Sequence, residues 1–131
     1  MSRADFEAVQ QLMTAYFDGL YRADSAALRP LFHPSLTYVS AGAGDDFTLD
    51  LEAYMARIDQ REPPAMRGEK NNGAVLEIGF GGERMARVTA RMAMMGRDYL
   101  DFLTLVRDVG GAPGWRIAAK IFTYDAHARE A

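Results

Sequence analysis

The second half of this 131-residue chain constrains its fold more than any other feature. Four β-rich segments follow one another there: Ala74 to Phe80, Arg84 to Met95, Arg97 to Val109 and Trp115 to Tyr124. Gly81-Gly82, Gly96 and Gly110-Gly111-Ala112-Pro113-Gly114 punctuate them. Connections that short make antiparallel hairpins, because a parallel pair needs a crossover of about a dozen residues or more. Alternation then assigns faces. Ala86, Val88, Ala90, Met92 and Met94 share one face, with Arg87, Thr89 and Arg91 opposite. Tyr99, Asp101, Leu103 and Leu105 share a face, opposite Phe102, Thr104 and Val106. In the last segment an unbroken alternation puts Trp115, Ile117, Ala119 and Ile121 on one side and Arg116, Ala118, Lys120 and Phe122 on the other. On that pattern Lys120 is expected on the outer face, in an ion pair.

The first half has a helical period instead. Ser2 followed by Asp5 resembles a capping box, and Phe6, Val9, Met13, Tyr16, Phe17 and Leu20 then recur at helical spacing. This predicts a long amphipathic helix over about Arg3 to Ala23. Asp24 and Ser25 cap a second, short helix to about Leu31, and Pro34 stops it. Leu36 to Ser40 reads as a strand, Gly42 to Asp46 as a turn, and Phe47 to Leu49 as a short return. Asp50 caps a third helix bearing Leu51, Tyr54, Met55 and Ile58 on one face, and Pro63-Pro64 ends it. Pro63 to Asn72 is the most polar connection and the segment expected to move most. Helices first and strands last define an α+β fold, a single domain over residues 1–131, with helices on one face of a mostly antiparallel sheet. Several strands are apolar on both faces, and a helix layer covers only one. The hydrophobic share of 49% therefore leaves a surplus for a second subunit or a pocket.

Composition removes several chemistries. Without cysteine there is no disulfide, thiol nucleophile or thiolate metal site, and two distant histidines, His33 and His127, make a histidine-rich metal centre a poor reading. Neither a metal nor a cofactor is expected. Acidic and basic residues are interleaved at a net charge of −3, so neither nucleic acid nor a membrane surface is an expected partner. The amphipathic N-terminus is not an apolar signal sequence and no apolar run is long enough to span a bilayer, so a cytoplasmic protein is expected.

Three segments carry a resemblance to a known family. They are Tyr16-Phe17-Asp18-Gly19-Leu20-Tyr21-Arg22-Ala23-Asp24 leading to Leu31-Phe32-His33-Pro34, then Tyr99-Leu100-Asp101-Phe102-Leu103-Thr104-Leu105, and Gly114-Trp115-Arg116-Ile117-Ala118-Ala119-Lys120-Ile121-Phe122. In order and spacing, from about Phe6 to Tyr124, the chain resembles the nuclear-transport-factor-2-like superfamily, in its putative lumazine-binding or SnoaL-like branch. The resemblance implies a cystatin-like, cone-shaped α+β barrel, with a strongly bent sheet wrapping the helices and a pocket between them. It also implies a homodimer joined through the outer sheet face. Activities across such proteins range from isomerase, cyclase and dehydratase chemistry to ligand binding and scaffolding, so the fold alone assigns no reaction.

Similarity to ketosteroid isomerase suggests site residues. That enzyme holds an oxyanion with a tyrosine and a protonated aspartic acid, and moves a proton with a second aspartate. Tyr16 and Asp101 fall on the first two positions, and Ser40 falls on that of the base. Serine is no general base near neutral pH, which argues against the isomerase reaction itself. Asp101 is then either a neutral donor raised by burial or a paired structural carboxylate. Tyr16 is either its partner anchor or plain core. His33 is an acid–base candidate or part of a capping turn, and His127 lies in the polar tail His127 to Ala131. Arg87 and Arg91 suit a solvated or dimer face. Phe17, Tyr38, Ser40, Met55, Met92, Tyr99, Leu103 and Trp115 are the expected cone lining. Two readings follow. One is a homodimeric protein binding a small apolar or carbonyl-bearing ligand. The other is a non-catalytic dimerisation or interaction module with a filled cone. An open pocket exposing Tyr16 and Asp101 would favour the first, and a closed interior with Asp101 ion-paired the second.

Overall fold

The computed structural model describes residues 2–127. Helix α1 spans Arg3–Arg22 and starts where the Ser2 hydroxyl accepts the Asp5 N–H. Its apolar stripe buries Val9, Leu12, Met13, Tyr16, Phe17 and Leu20. Asp24 caps α2, Ser25–Leu28, by accepting the Ala27 N–H, and a 3-10 turn carries the chain through Arg29–Leu31. Asp50 caps α3, Leu51–Asp59, which buries Leu51, Tyr54, Met55 and Ile58.

The strands are β1 Phe32–Gly42, β2 Asp45–Leu49, β3 Ala74–Gly81, β4 Met85–Met94, β5 Arg97–Val109 and β6 Ala112–Ala126. They form one sheet in the order β2-β1-β6-β5-β4-β3. The meander from β3 to β6 is antiparallel, as the short turns require. β1 joins it beside β6 as a parallel neighbour. The sheet is left open between β2 and β3 and curls strongly into a cone around the helices. The fold is α+β.

Two irregularities change the sequence-based assignment. β1 begins at Phe32 rather than Leu36 and includes Pro34. Its register against β6 slips between Phe32 and Thr37, which is where a residue without an N–H can sit in a strand. The second concerns β6. Leu105 stands opposite Ile117, but Thr104 stands opposite Ala119, so Ala118 is an extra residue. Such a bulge sets two residues against one and reverses the in–out phase beyond it. Ile117 therefore faces the core, and so do Lys120 and Phe122, while Ile121 is exposed. Lys120 is not an outer-face residue.

The connection between α3 and β3 lies across one end of the cone as a strap. It forms a 3-10 turn at Pro64–Arg67. Beyond it, the Glu69 carbonyl accepts the Tyr21 hydroxyl at 2.7 Å, and Glu69 Oε1 accepts the Met95 N–H at 2.7 Å. Asn72 Oδ1 accepts the Ala93 N–H at 2.9 Å. The strap ends on Gly73, packed so closely on Phe17 that a Cβ there would run into its ring.

Candidate functional site

Register lines up the interior. Across the sheet one row reads Ser40, Phe122, Asp101 and Ala90, and the next reads Tyr38, Lys120, Leu103 and Val88. Asp101 and Lys120 are thus diagonal neighbours on the concave face, and α1 lays Tyr16 over them. The Tyr16 hydroxyl donates to Asp101 Oδ2 at 2.5 Å. Lys120 Nζ lies 3.9 Å from the same oxygen and donates to the Tyr54 hydroxyl at 3.1 Å. Four rings, those of Tyr16, Tyr38, Tyr54 and Phe122, surround the ammonium at 5.0–5.6 Å, close enough for cation–π attraction.

This cluster is sealed. Tyr16 is 0% exposed, Asp101 4% and Lys120 5%. Burial, reinforced by the Asp101 charge, pushes the Tyr16 phenol well above its usual pKa. Burial raises Tyr54 too, and raises Tyr38 to about 12 against the opposing charge of Lys120. These three tyrosines therefore keep their hydrogens at neutral pH. One polar atom in the cluster is left over. Among the described residues nothing donates to the buried Asp101 Oδ1. A buried acceptor left without a donor costs about 1–3 kcal/mol, and more when charged.

The other sequence candidates separate into three groups. Ser40 shares Asp101's row, but its hydroxyl donates to the Asp45 carbonyl at 2.8 Å and serves the β1–β2 turn. Phe17, Met55, Met92, Tyr99 and Leu103 join Tyr16 and Tyr38 in one buried core. Trp115 is half-buried at 5.9 Å from Phe80, beyond the bulge. His33 accepts the Ser35 N–H on Nδ1 and holds the Val109 carbonyl with Nε2, both at 3.0 Å. Nδ1 is spent within β1 and Nε2 on the β5–β6 turn, away from Tyr16 and Asp101. His127 is exposed, 2.8 Å from Asp98, and residues 128–131 of the tail lie outside the described residues. Arg87 is exposed and pairs with Glu77. Strand alternation turned Lys120 and Phe122 outward, and Tyr54, read on the apolar face of α3, was not assigned to the cluster. A signal existed for Lys120: thirteen of the fifteen basic residues are arginine, and only this lysine interrupts an apolar strand. Among the described residues no three His, Cys, Asp or Glu side chains gather to hold a metal.

A six-stranded sheet curled around α1 is a fold that this chain shares with solved nuclear-transport-factor-2-like proteins. A crystal structure of such a protein from Shewanella baltica, of unknown function, superposes with a TM-score of 0.79 at 20% identity, covering 95% of this chain and 98% of that one. One from Methylobacillus flagellatus, also of unknown function, gives 0.80 at 15% identity with 96% of each chain covered. A cystatin-like fold protein from Burkholderia xenovorans gives 0.69 at 20% identity, covering 97% and 96%. The model of the family described as "Putative lumazine-binding" matches residues 4–123, and the chain belongs to that family. No curated protein matches the sequence. Among the described residues no helix is long and apolar enough to cross a membrane.

Proposed function

We propose that this chain is a small-molecule-binding protein whose ligand reaches the cone interior and is anchored at the Tyr16–Asp101 pair. The observation that carries this reading is Asp101 Oδ1, an acceptor buried beside a lysine and three tyrosines that meets no donor among the described residues. A core built only to be filled has no use for a polar atom without a partner. The family's description, which names a small molecule, agrees with it. Access would run under the strap. Lifting Gly73 frees Phe17, whose ring packs edge-on against Tyr16 at 5.6 Å. Binding is favoured over isomerisation, because Ser40 replaces the proton-moving carboxylate and its hydroxyl is already engaged.

The second reading is a filled-cone interaction module. The sealed interior and the Lys120–Asp101 contact favour it. Both readings include a homodimer through the outer sheet face. There Phe102 is 61% exposed opposite Ile121, with Leu100 opposite Thr123, and together with Ala41 they frame a shallow apolar depression of about 190 Å³.

Native mass spectrometry of the freshly purified protein separates the two. The binding reading expects an adduct of small-molecule mass that denaturation releases and that Asp101→Asn weakens. A bare polypeptide mass in both proteins, from every growth medium tried, supports the filled module instead.

A further inference from the structure

Which ligand the cluster can accept depends on where its hydrogens already are; this inference rests on the binding reading above. Tyr16 has one hydroxyl hydrogen, and Asp101 Oδ2 takes it at 2.5 Å. The raised Tyr16 pKa keeps it there. Lys120 spends one hydrogen on Tyr54, and its ammonium is enclosed by the four rings. The tyrosine–carboxyl pair therefore offers a ligand no hydrogen. What it offers is the lone pairs of Asp101 Oδ1, which meet no donor among the described residues. A neutral aspartic acid donating to a ligand carbonyl is the reverse of this arrangement, and Lys120 is the reason. With a positive charge 3.9 Å from the carboxyl, Asp101 has its counter-ion inside the cone and acts as an acceptor.

We propose that the cone takes small, largely apolar molecules carrying an N–H or O–H donor, received by Asp101 Oδ1, and that Lys120 is the positioning residue that fixes this preference. A ligand bearing only a carbonyl leaves Oδ1 unpaired and finds no free hydrogen on Tyr16. A ligand bearing a donor removes the cost of the vacant acceptor. The core side chains packed around the cluster, among them Tyr38, Met55, Leu103 and Phe122, are apolar and suit an apolar body behind that donor.

The probes are phenol and anisole, which share a ring and differ in the O–H. Each is titrated into the protein labelled with nitrogen-15, and dissociation constants are read from amide shifts on β5, β6 and α1. Anisole is the more apolar of the two, so burial alone ranks it first. Phenol binding about tenfold or more tightly is the expected result, the ratio for one charge-assisted hydrogen bond. Two variants test the cause. Lys120→Met removes the positive charge 3.9 Å from the carboxyl, so the phenol preference should vanish or reverse in favour of the more apolar anisole. In Asp101→Asn, the Tyr16 hydrogen fixes the amide oxygen and turns the NH₂ to the vacant position, so the preference should reverse there as well. The second variant retains shape and serves if Lys120→Met fails to fold. Equal binding of both probes by the unaltered protein, or a phenol preference that survives in the folded variant, overturns this inference and leaves the binding reading standing. Shifts from neither probe, or shifts confined to the outer face, overturn both.

Discussion

Removing the hydroxyl of Tyr16 is the most direct test of the buried cluster. Tyr16→Phe keeps the ring contacts with Phe17 and Phe32 and deletes only the 2.5 Å bond to Asp101. A hydrogen bond to a charged group contributes about 1.5–3 kcal/mol. The loss here exceeds that, because Oδ1 already lacks a donor and Oδ2 would be left with Lys120 at 3.9 Å, beyond hydrogen-bond distance. We expect a cost of about 2–4 kcal/mol, a fall in Tm of roughly 10 °C for a chain of this size. Urea unfolding provides the assay, followed by the fluorescence of Trp115, the sole tryptophan, which sits half-buried on Phe80. The control is the same change in an Asp101→Leu background, where the hydroxyl has no partner and its removal should cost almost nothing. The coupling energy between the two sites is then about 2–4 kcal/mol. A Tyr16→Phe cost below about 0.5 kcal/mol, or a coupling near zero, would refute the account of Asp101 as a buried acceptor dependent on Tyr16.

Three more predictions follow from the same structure. Tyr16, Tyr38 and Tyr54 have raised pKa values in the folded chain, from burial first, so the folded state holds protons that the unfolded state releases above about pH 10. Their contribution is complete below that pH and is lost as pH rises through the folded values, about 12 for Tyr38. The stability measured by urea unfolding should therefore fall steeply above about pH 10, by about 1.4 kcal/mol per pH unit per tyrosine, with tyrosinate absorbance appearing together with unfolding. Ionisation of all six tyrosines near their ordinary pKa without unfolding would contradict this. Gly73→Ala drives a methyl into the Phe17 ring and should destabilise the protein by about 1–3 kcal/mol, with faster exchange of the Met95 amide held by Glu69; unchanged stability would show that the strap is not seated on Phe17. If the proposed dimer forms through the exposed apolar strip, Phe102→Glu charges that strip and should leave a monomer by sedimentation without changing the urea midpoint of the subunit; a chain already monomeric at micromolar concentration would remove the dimer from the proposal.

The parts of this protein legible in its sequence are those governed by local rules. Helical spacing put Tyr16 on the buried stripe of α1, and alternation put Asp101 on the buried face of β5, because each pattern repeats within a few residues. The caps at Ser2, Asp24 and Asp50 were readable for the same reason: the bonded N–H lies three residues away. Short glycine turns determined the antiparallel meander. Tertiary structure alone decided the rest. The parallel pairing of β1 with β6 joins segments about eighty residues apart, and no local pattern encodes such a partner. The bulge at Ala118 arises from how β6 must match β5 on one side and β1 on the other in a curled sheet, so it is invisible in the strand's own alternation. That one extra residue turned Lys120 inward. It is the reason the Tyr16–Asp101 pair, read alone as two anchors, stands beside a buried ammonium in the fold.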